Sequence, residues 1–582
     1  MADYVSFSIF GLSLPTLLFL TATITAGFYQ LYRMAMPSPI PGIPYNKESA
    51  KRLLGDGGPM IKNAKATHEI FTWLRQQNVN LDTPISQIFL KPFAKPTIII
   101  TDFREAQDIC LRRTKEFDRT TAQANLFVGV VPEHHIGMKT ADPRYKQHRR
   151  WLQDLMTPAF LHEIAAPHLQ AAFEDLMQVW EKKAELANEH PFSAKYDIYE
   201  AALDAVWSIL FGANIADSTM RTQLQALAHT KALDLPANID KEAPLAHVPL
   251  PKSMDAVVLL TESIGIAVRS PFPIFTHWMY RQRASMRNAK AVKDKFIAGE
   301  VEKTRLRFMG KAESNKDVRC AMDDILRREI LMAEKEGRQP IFHSRAMHDE
   351  IFGFVIAAHD TTATAITWAV KILADHPNVQ TKLRSTLRSA FVNAVAEKRR
   401  PTYQEVTKTS IPYLDASIEE LIRCSLTEPT VTREALVDVD VLGHRIPKGT
   451  AFFLLGNGPS IFTPAFEIDD TLRSPSARAA KERVGSWDPR DMGQFKPERW
   501  LVKEGDREVF DASAGPLLTF GLGPRGCYGR RLAYLELRIV LALIIWNFEL
   551  QACPPELNSY AAEDKVVHAP QQSYVRIKKN TW

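Results

Sequence analysis

The chain opens on a long apolar run and then changes character. No charged residue lies between Asp3 and Arg33, and 5–32 is rich in Phe, Leu, Ile, Ala and Thr. As a helix this run is long enough to cross a hydrocarbon core of about 30 Å. Gly11 and Pro15 interrupt it, but both residue types are tolerated in membrane helices. Arg33 follows the run and Asp3 precedes it, so the positive-inside tendency puts the rest of the chain on the cytosolic side. A front end without basic residues argues against a cleaved signal peptide. Residues 33–46, with Pro37, Pro39, Pro41 and Pro44, predict an extended, semi-rigid hinge.

Beyond residue 47 the spacing of apolar positions is mostly helical. It predicts helices at 143–160, 164–186, 195–211, 253–268, 275–306, 345–375, 378–396, 414–425 and 528–546. Short strand patterns stand at 96–101, 436–446 and 572–577. No linker, repeat or low-complexity tract divides 47–582. The reading is one large, mainly α domain with small peripheral β-sheets behind a membrane anchor.

Composition narrows the class. With 45% hydrophobic and 24% charged residues the chain is a folded globular protein. A net charge of +6 over 582 residues, with no dense basic run, does not suit a nucleic-acid binder. The 5 cysteines are widely spaced and form no C-x-x-C pair, which suits a reducing compartment.

The chemistry concentrates at 520–529, Phe-Gly-Leu-Gly-Pro-Arg-Gly-Cys-Tyr-Gly, directly before the apolar helix pattern. Cys527 at a glycine-rich loop entering a helix N-terminus is placed where amide groups favour a thiolate. Gly521, Gly523, Gly526 and Gly529 let the backbone turn tightly and approach a flat cofactor. Arg525 can reach a carboxylate on that cofactor. In the proline-free helix pattern 351–370 stands Ala357-Ala358-His359-Asp360-Thr361-Thr362. An acid beside an alcohol in an apolar helix is costly unless used; Asp360 could supply protons while the Thr361 hydroxyl holds a water. The plainer alternative is that Thr361 bonds back to the preceding turn. Glu420 and Arg423 share one helix face, and Pro497-Glu498-Arg499-Trp500 follows at a distance.

These residues resemble the cytochrome P-450 family. Positions 520–529 match its haem-binding pattern F-x-x-G-x-R-x-C-x-G at every fixed place, including Phe520, Arg525, Cys527 and Gly529. The 357–362 stretch resembles the family's distal-helix motif, with Ala358 in place of the usual glycine. Glu420, Arg423 and Arg499 resemble its E-x-x-R and P-E-R-[FW] elements. Tyr145-Lys-Gln-His-Arg149 resembles its W-x-x-x-R helix, with tyrosine for tryptophan.

The resemblance implies a cytochrome P-450 fold, haem b, and Cys527 as axial ligand to the iron. It implies Arg149 and Arg433 on haem propionates, and Glu420, Arg423 and Arg499 as a buried structural charge network. Asp360 and Thr361 would be the catalytic relay for oxygen activation. A separate NADPH-dependent reductase, or cytochrome b5, would supply electrons, docking on Arg149, Arg150, Arg525, Arg530 and Arg531. The substrate would be a lipophilic small molecule hydroxylated or epoxidised in secondary metabolism. It would meet segments 120–138, 233–257, 430–432 and 571–573, together with Phe354, Ala357 and Ala358. The location implied is the endoplasmic reticulum membrane, single-pass, with the catalytic domain in the cytosol. Isomerisation, dehydration or oxidative coupling on the same haem stays open, as does a catalytically silent haem-binding membrane protein. Residues 461–489 fit the pattern poorly and are expected to be a surface insertion. His134-His135 is expected to be exposed and to bind no metal.

Overall fold

The computed structural model describes residues 14–212, 218–308 and 318–581. Its centre is a group of helices with few solvent-facing positions. The helix Lys195–Phe211 is buried on nearly every side, and a helix apolar all round needs neighbours all round. It packs on Ala166–Ala187 and on the 30-residue helix Arg345–Ala374. Ser344 starts that long helix, its hydroxyl accepting the Met347 N–H. Arg530–Asn547 closes the core against Ala166–Ala187, Arg345–Ala374 and Pro412–Ser425. Trp180, Phe173, Ile351 and Ile544 belong to one continuous apolar cluster joining these helices.

A five-stranded sheet flanks this core, in the order Ile85–Ile88, Thr97–Ile100, Ala451–Leu455, Thr430–Ala435, Phe117–Asp118. Thr97–Ile100 and Ala451–Leu455 run parallel; the other neighbours are antiparallel. On the last pair Asp118 stands opposite Glu434. The register therefore brings the next residue, Arg119, beside Arg433.

Several predicted elements change on folding. The pattern 275–306 is two helices, Pro273–Arg281 and Ala284–Phe308. The pattern 143–160 gives way after Trp151 to a tighter turn and resumes at Pro158. The strand pattern 436–446, by contrast, forms where it was read, as a hairpin of Val439–Val441 against His444–Ile446 with its turn on Leu442 and Gly443 at positive φ. Helices Phe103–Leu111 and Ala321–Glu336 escaped the pattern because charged residues, among them Glu105, Asp108, Asp323, Asp324 and Glu329, are buried on their inner faces.

The apolar N-terminal run is helical over Leu14–Ala35, and none of its apolar window is covered by protein. It is long and apolar enough for a membrane span or signal anchor; residues 5–13 of the predicted anchor lie outside the described residues. The proline segment is no free spacer. Ile40 and Ile43 are buried, and the Gln87 side chain bonds the Ile40 N–H and the Ile40 and Ile43 carbonyls, each at 2.8 Å. Residues 461–489 are likewise tied down. Buried Arg473 pairs with Asp102 at 2.6 and 2.9 Å, and Ser474 and Ser476 bond Asp108.

Candidate functional site

The Cys527 loop is built by glycines where the chain must turn or approach closely. Gly521 and Gly523 take φ of +60° and +72°, and a Cβ on Gly523 would lie 2.2 Å from the Cys110 carbonyl oxygen. The Cys527 N–H closes the loop on the Phe520 carbonyl at 2.7 Å. Cys527 is exposed, yet its thiol lies deep enough for burial to raise its pKa. The two observations agree if the sulfur faces an internal space. The Gly529 and Arg530 amides and the Arg530 charge oppose the rise without overcoming it. A bound metal cation deprotonates a coordinating thiol outright.

The distal helix supplies the opposite wall. Along Arg345–Ala374, otherwise largely buried, Phe354, Ala357, Ala358, Thr361 and Ala365 keep accessible surface, Ala357 most of all. Their spacing is one face of a helix, so this otherwise buried helix keeps one accessible stripe that passes Thr361. The Thr361 hydroxyl donates to the Ala357 carbonyl at 2.8 Å, the plainer of the two bonding modes anticipated. Its lone pairs stay free to accept. Asp360 turns away from Thr361, as neighbours on a helix must. Burial raises its pKa, against the pull of His359, Lys565 and Lys195. Tyr199 lies in the same region, its hydroxyl 2.7 Å from Thr364.

A group of arginines lies together with too few acids to match: Asp118 acts on Arg119 and Arg525, and Arg119 acts on Glu428. Arg433 donates to the Thr432 carbonyl at 2.8 Å and the Leu522 carbonyl at 3.4 Å. Arg525 lies 4.3 Å over the Tyr145 ring, with Nε and Nη1 buried and without a hydrogen-bond partner. Arg119, which the sequence reading did not single out, is in the same state at Nε and Nη1. Burial, then Arg525 and Arg433, push Arg119 down to about 9. Cations left unpaired in the interior cost several kcal/mol each, so this cluster fits a dianionic ligand edge such as two propionates. The signal in the sequence was only an arginine after a strand pattern; the antiparallel register gives it meaning. Arg149 is engaged otherwise, donating to the Tyr145 hydroxyl at 2.8 Å and lying 4.5 Å over the Tyr528 ring.

Glu420, Arg423 and Arg499 meet in the interior. Glu420 accepts from Arg423 at 2.7 and 2.8 Å, Arg499 at 3.0 Å, Trp500 at 2.9 Å and the Lys496 N–H at 2.8 Å. Arg423 also donates to the Met492 and Gln494 carbonyls, each at 2.9 Å. The network ties 491–500 to the helix Pro412–Ser425.

Two expectations need correction. Arg525 lies inside the arginine cluster and cannot belong to a partner dock; Arg150 and Arg531 are exposed and remain available. His134 is buried and His135 half-buried, not exposed. Both face the fully buried Glu350, which also bonds His148 at 2.9 Å. Burial disfavours the Glu350 charge, but His134, His135 and His148 overcome this and hold its carboxyl well below the usual range. His134, His135 and Glu350 are close enough to suggest a metal site. However, His134 Nδ1 accepts the Ile136 N–H at 3.1 Å, so the ring proton sits on Nε2, facing Glu350. That tautomer makes Nε2 a donor and not a ligand.

A cysteine loop before a core helix, a long helix whose accessible face carries Thr361, and the Glu420–Arg423–Arg499 network suit a haem-thiolate oxygenase. The cytochrome P-450 family model matches residues 58–458 and 491–576, and the chain belongs to that family. The unmatched interval covers the predicted insertion. The chain is 38% identical to the cytochrome P-450 monooxygenase TRI13 of Fusarium sporotrichioides, over 95% of this chain and 97% of that protein. It is 36% identical to the cytochrome P-450 monooxygenase GME11363 of Pestalotiopsis microspora, over 98% and 99%. Against the cytochrome P-450 monooxygenase xilC of Penicillium rubens the figure is 32%, over 96% of each. The protein is therefore an oxidoreductase of the monooxygenase class, with a haem-thiolate cofactor implied by its family.

Proposed function

We propose that this enzyme binds haem b through Cys527 and hydroxylates or epoxidises a lipophilic small molecule of fungal secondary metabolism. Electrons come from NADPH through a separate reductase, with cytochrome b5 as an alternative donor. Three observations support the reading: the accessible Cys527, the accessible face of the helix Arg345–Ala374 around Thr361, and the buried, unpartnered guanidinium nitrogens of Arg119 and Arg525.

When bound, the haem supplies thiolate-assisted O–O cleavage. The protein's part is to hold, orient and protonate. Arg433, Arg525 and Arg119 hold the propionates, with Arg149 bracing Tyr145 and Tyr528 behind them. Phe520 closes the ligand loop through its carbonyl, and Gly529 turns its amide toward the sulfur. Thr361 presents a hydroxyl that accepts a water's hydrogen bond while donating to Ala357. Asp360, whose pKa burial raises, passes protons inward from the side of Lys195 and Lys565. The Ala358 methyl narrows the groove at this point.

The N-terminal helix anchors residues 47–582 to the endoplasmic reticulum membrane, catalytic domain in the cytosol, with 33–46 seated on the body. The exposed Arg150 and Arg531, with half-exposed Arg530, face the reductase. Reduced, carbon-monoxide-bound protein should show a red-shifted Soret band that Cys527→Ser abolishes. A wild type that folds with haem but lacks the band refutes the ligand assignment.

A further inference from the structure

Glu428 is a buried carboxyl that neither the arginine cluster nor any structural network uses. It sits between two pinned residues. The Thr427 carbonyl accepts the His568 N–H at 3.0 Å, and the Pro429 carbonyl accepts the Gly456 N–H at 2.8 Å. The strand that follows is fixed too, with the Thr430 hydroxyl on the Leu454 carbonyl at 3.3 Å. The backbone that carries Glu428 is thus held on both sides, which limits where its side chain can reach, as a recognition residue requires.

Its surroundings lead toward the cysteine loop: Arg119, close enough to act on the Glu428 carboxyl, is clustered with Arg433, which donates to the Leu522 carbonyl. Val431 touches the position a Cβ on Gly521 would take, at 3.7 Å, so this strand borders the cysteine loop. Glu428 keeps accessible surface although it is deep inside the protein. Burial raises it to about 8, Arg119 lowering and Asp564 raising it in turn. Near neutrality the group is therefore mostly a carboxylic acid, a donor as well as an acceptor. Among the described residues it has no hydrogen bond and no ion pair, although Arg119 is near enough to be felt. A polar group held dry without a partner is costly, and a ligand oxygen would remove that cost where a hydrocarbon could not.

We infer that Glu428 is a substrate-recognition residue, and that the lipophilic substrate already carries a hydroxyl or carbonyl oxygen that hydrogen-bonds to its carboxyl. This rests on the haem-thiolate reading of the site. It also orders the chemistry: a preceding oxygenation or oxygen-retaining cyclisation must supply the substrate. Purely apolar walls such as Phe127 and Val130 would take the remaining skeleton.

The test uses full-length holoenzyme and two matched probe pairs, 1-dodecanol with dodecane and cedrol with cedrane. Binding is read by spin-state shift and by equilibrium dialysis. In at least one pair wild type should prefer the alcohol by roughly fivefold to tenfold, the worth of one buried hydrogen bond. Glu428→Leu should reduce that preference to less than about twofold while keeping hydrocarbon affinity; Glu428→Gln should keep most of it. Equal affinity within both pairs, or no alcohol bound by wild type, overturns the inference. So does Glu428→Gln shifting haem affinity or reduction potential, since the carboxyl would then be a counter-charge to the arginines. Dodecyltrimethylammonium bound more tightly than either alcohol would instead assign the site to a cation. The carbon-monoxide band, recorded for every variant, separates these failures from failure of the haem-thiolate reading.

Discussion

Arg119→Met should have opposite effects on the haem-free and haem-bound protein. Arg119 is moved by burial and by Arg525 and Arg433 from 12.5 to about 9. At about 1.4 kcal/mol per pKa unit, holding that charge costs the haem-free fold on the order of 4 to 5 kcal/mol at pH 7. The sign follows from proton counting. Between pH 9 and 12.5 the unfolded chain binds more protons than the folded one, so stability rises with pH through that window. Below about pH 9 the whole penalty is present. Methionine fills similar volume without charge, so haem-free protein should gain stability, by less than the full figure because Met changes packing. In holoenzyme the guanidinium meets a carboxylate, and its loss should remove about 1.5–3 kcal/mol of charge-assisted bonding, roughly 10- to 100-fold in haem affinity. Urea unfolding of both forms and haem transfer to apomyoglobin measure the two effects. If haem-free protein is destabilised, or haem affinity is unchanged, Arg119 is not a propionate residue.

Four further expectations follow from the same contacts. Glu420→Gln leaves Arg423 and Arg499 buried without their anion, and should cost about 3–5 kcal/mol in denaturant unfolding of holoenzyme; a loss below about 1 kcal/mol would contradict the network's role. Thr361→Ala should lower product formed per oxygen consumed more than it lowers oxygen consumption itself, measured with an electrode and product assay. Asp360→Asn should slow reductase-driven turnover and enlarge its solvent isotope effect, while an unchanged isotope effect would remove Asp360 from the relay. Arg473→Ala removes the tie to Asp102 and should make 461–489 the first site of limited proteolysis.

The central core and the cysteine loop could be read from the chain because both are local. The apolar spacing of 195–211 and 345–375 is a one-dimensional record of burial, and both helices form within a residue or so of prediction. Phe520, Arg525, Cys527 and Gly529 lie within one turn-rich segment, so their order in sequence nearly is their arrangement in space. Glu420 and Arg423 are one helical turn apart, and the pattern alone paired them.

What depends on distant segments needed the tertiary structure. Arg119 joins Arg433 only through the register of an edge strand, and no local pattern separates such an arginine from a solvated one. His134 and His135 look like an exposed loop until Glu350, far along the chain, is placed against them. Burial also adds what local structure does not show: the helix end favours a thiolate at Cys527, while desolvation, a property of the whole fold, works against it. Sequence by itself determined the helical core, the apolar N-terminal helix and the glycine-rich cysteine loop, since these rest on spacing and residue type. Only the folded chain decided which charges are left unpaired in the interior, because electrostatic cost depends on depth and on neighbours from every side.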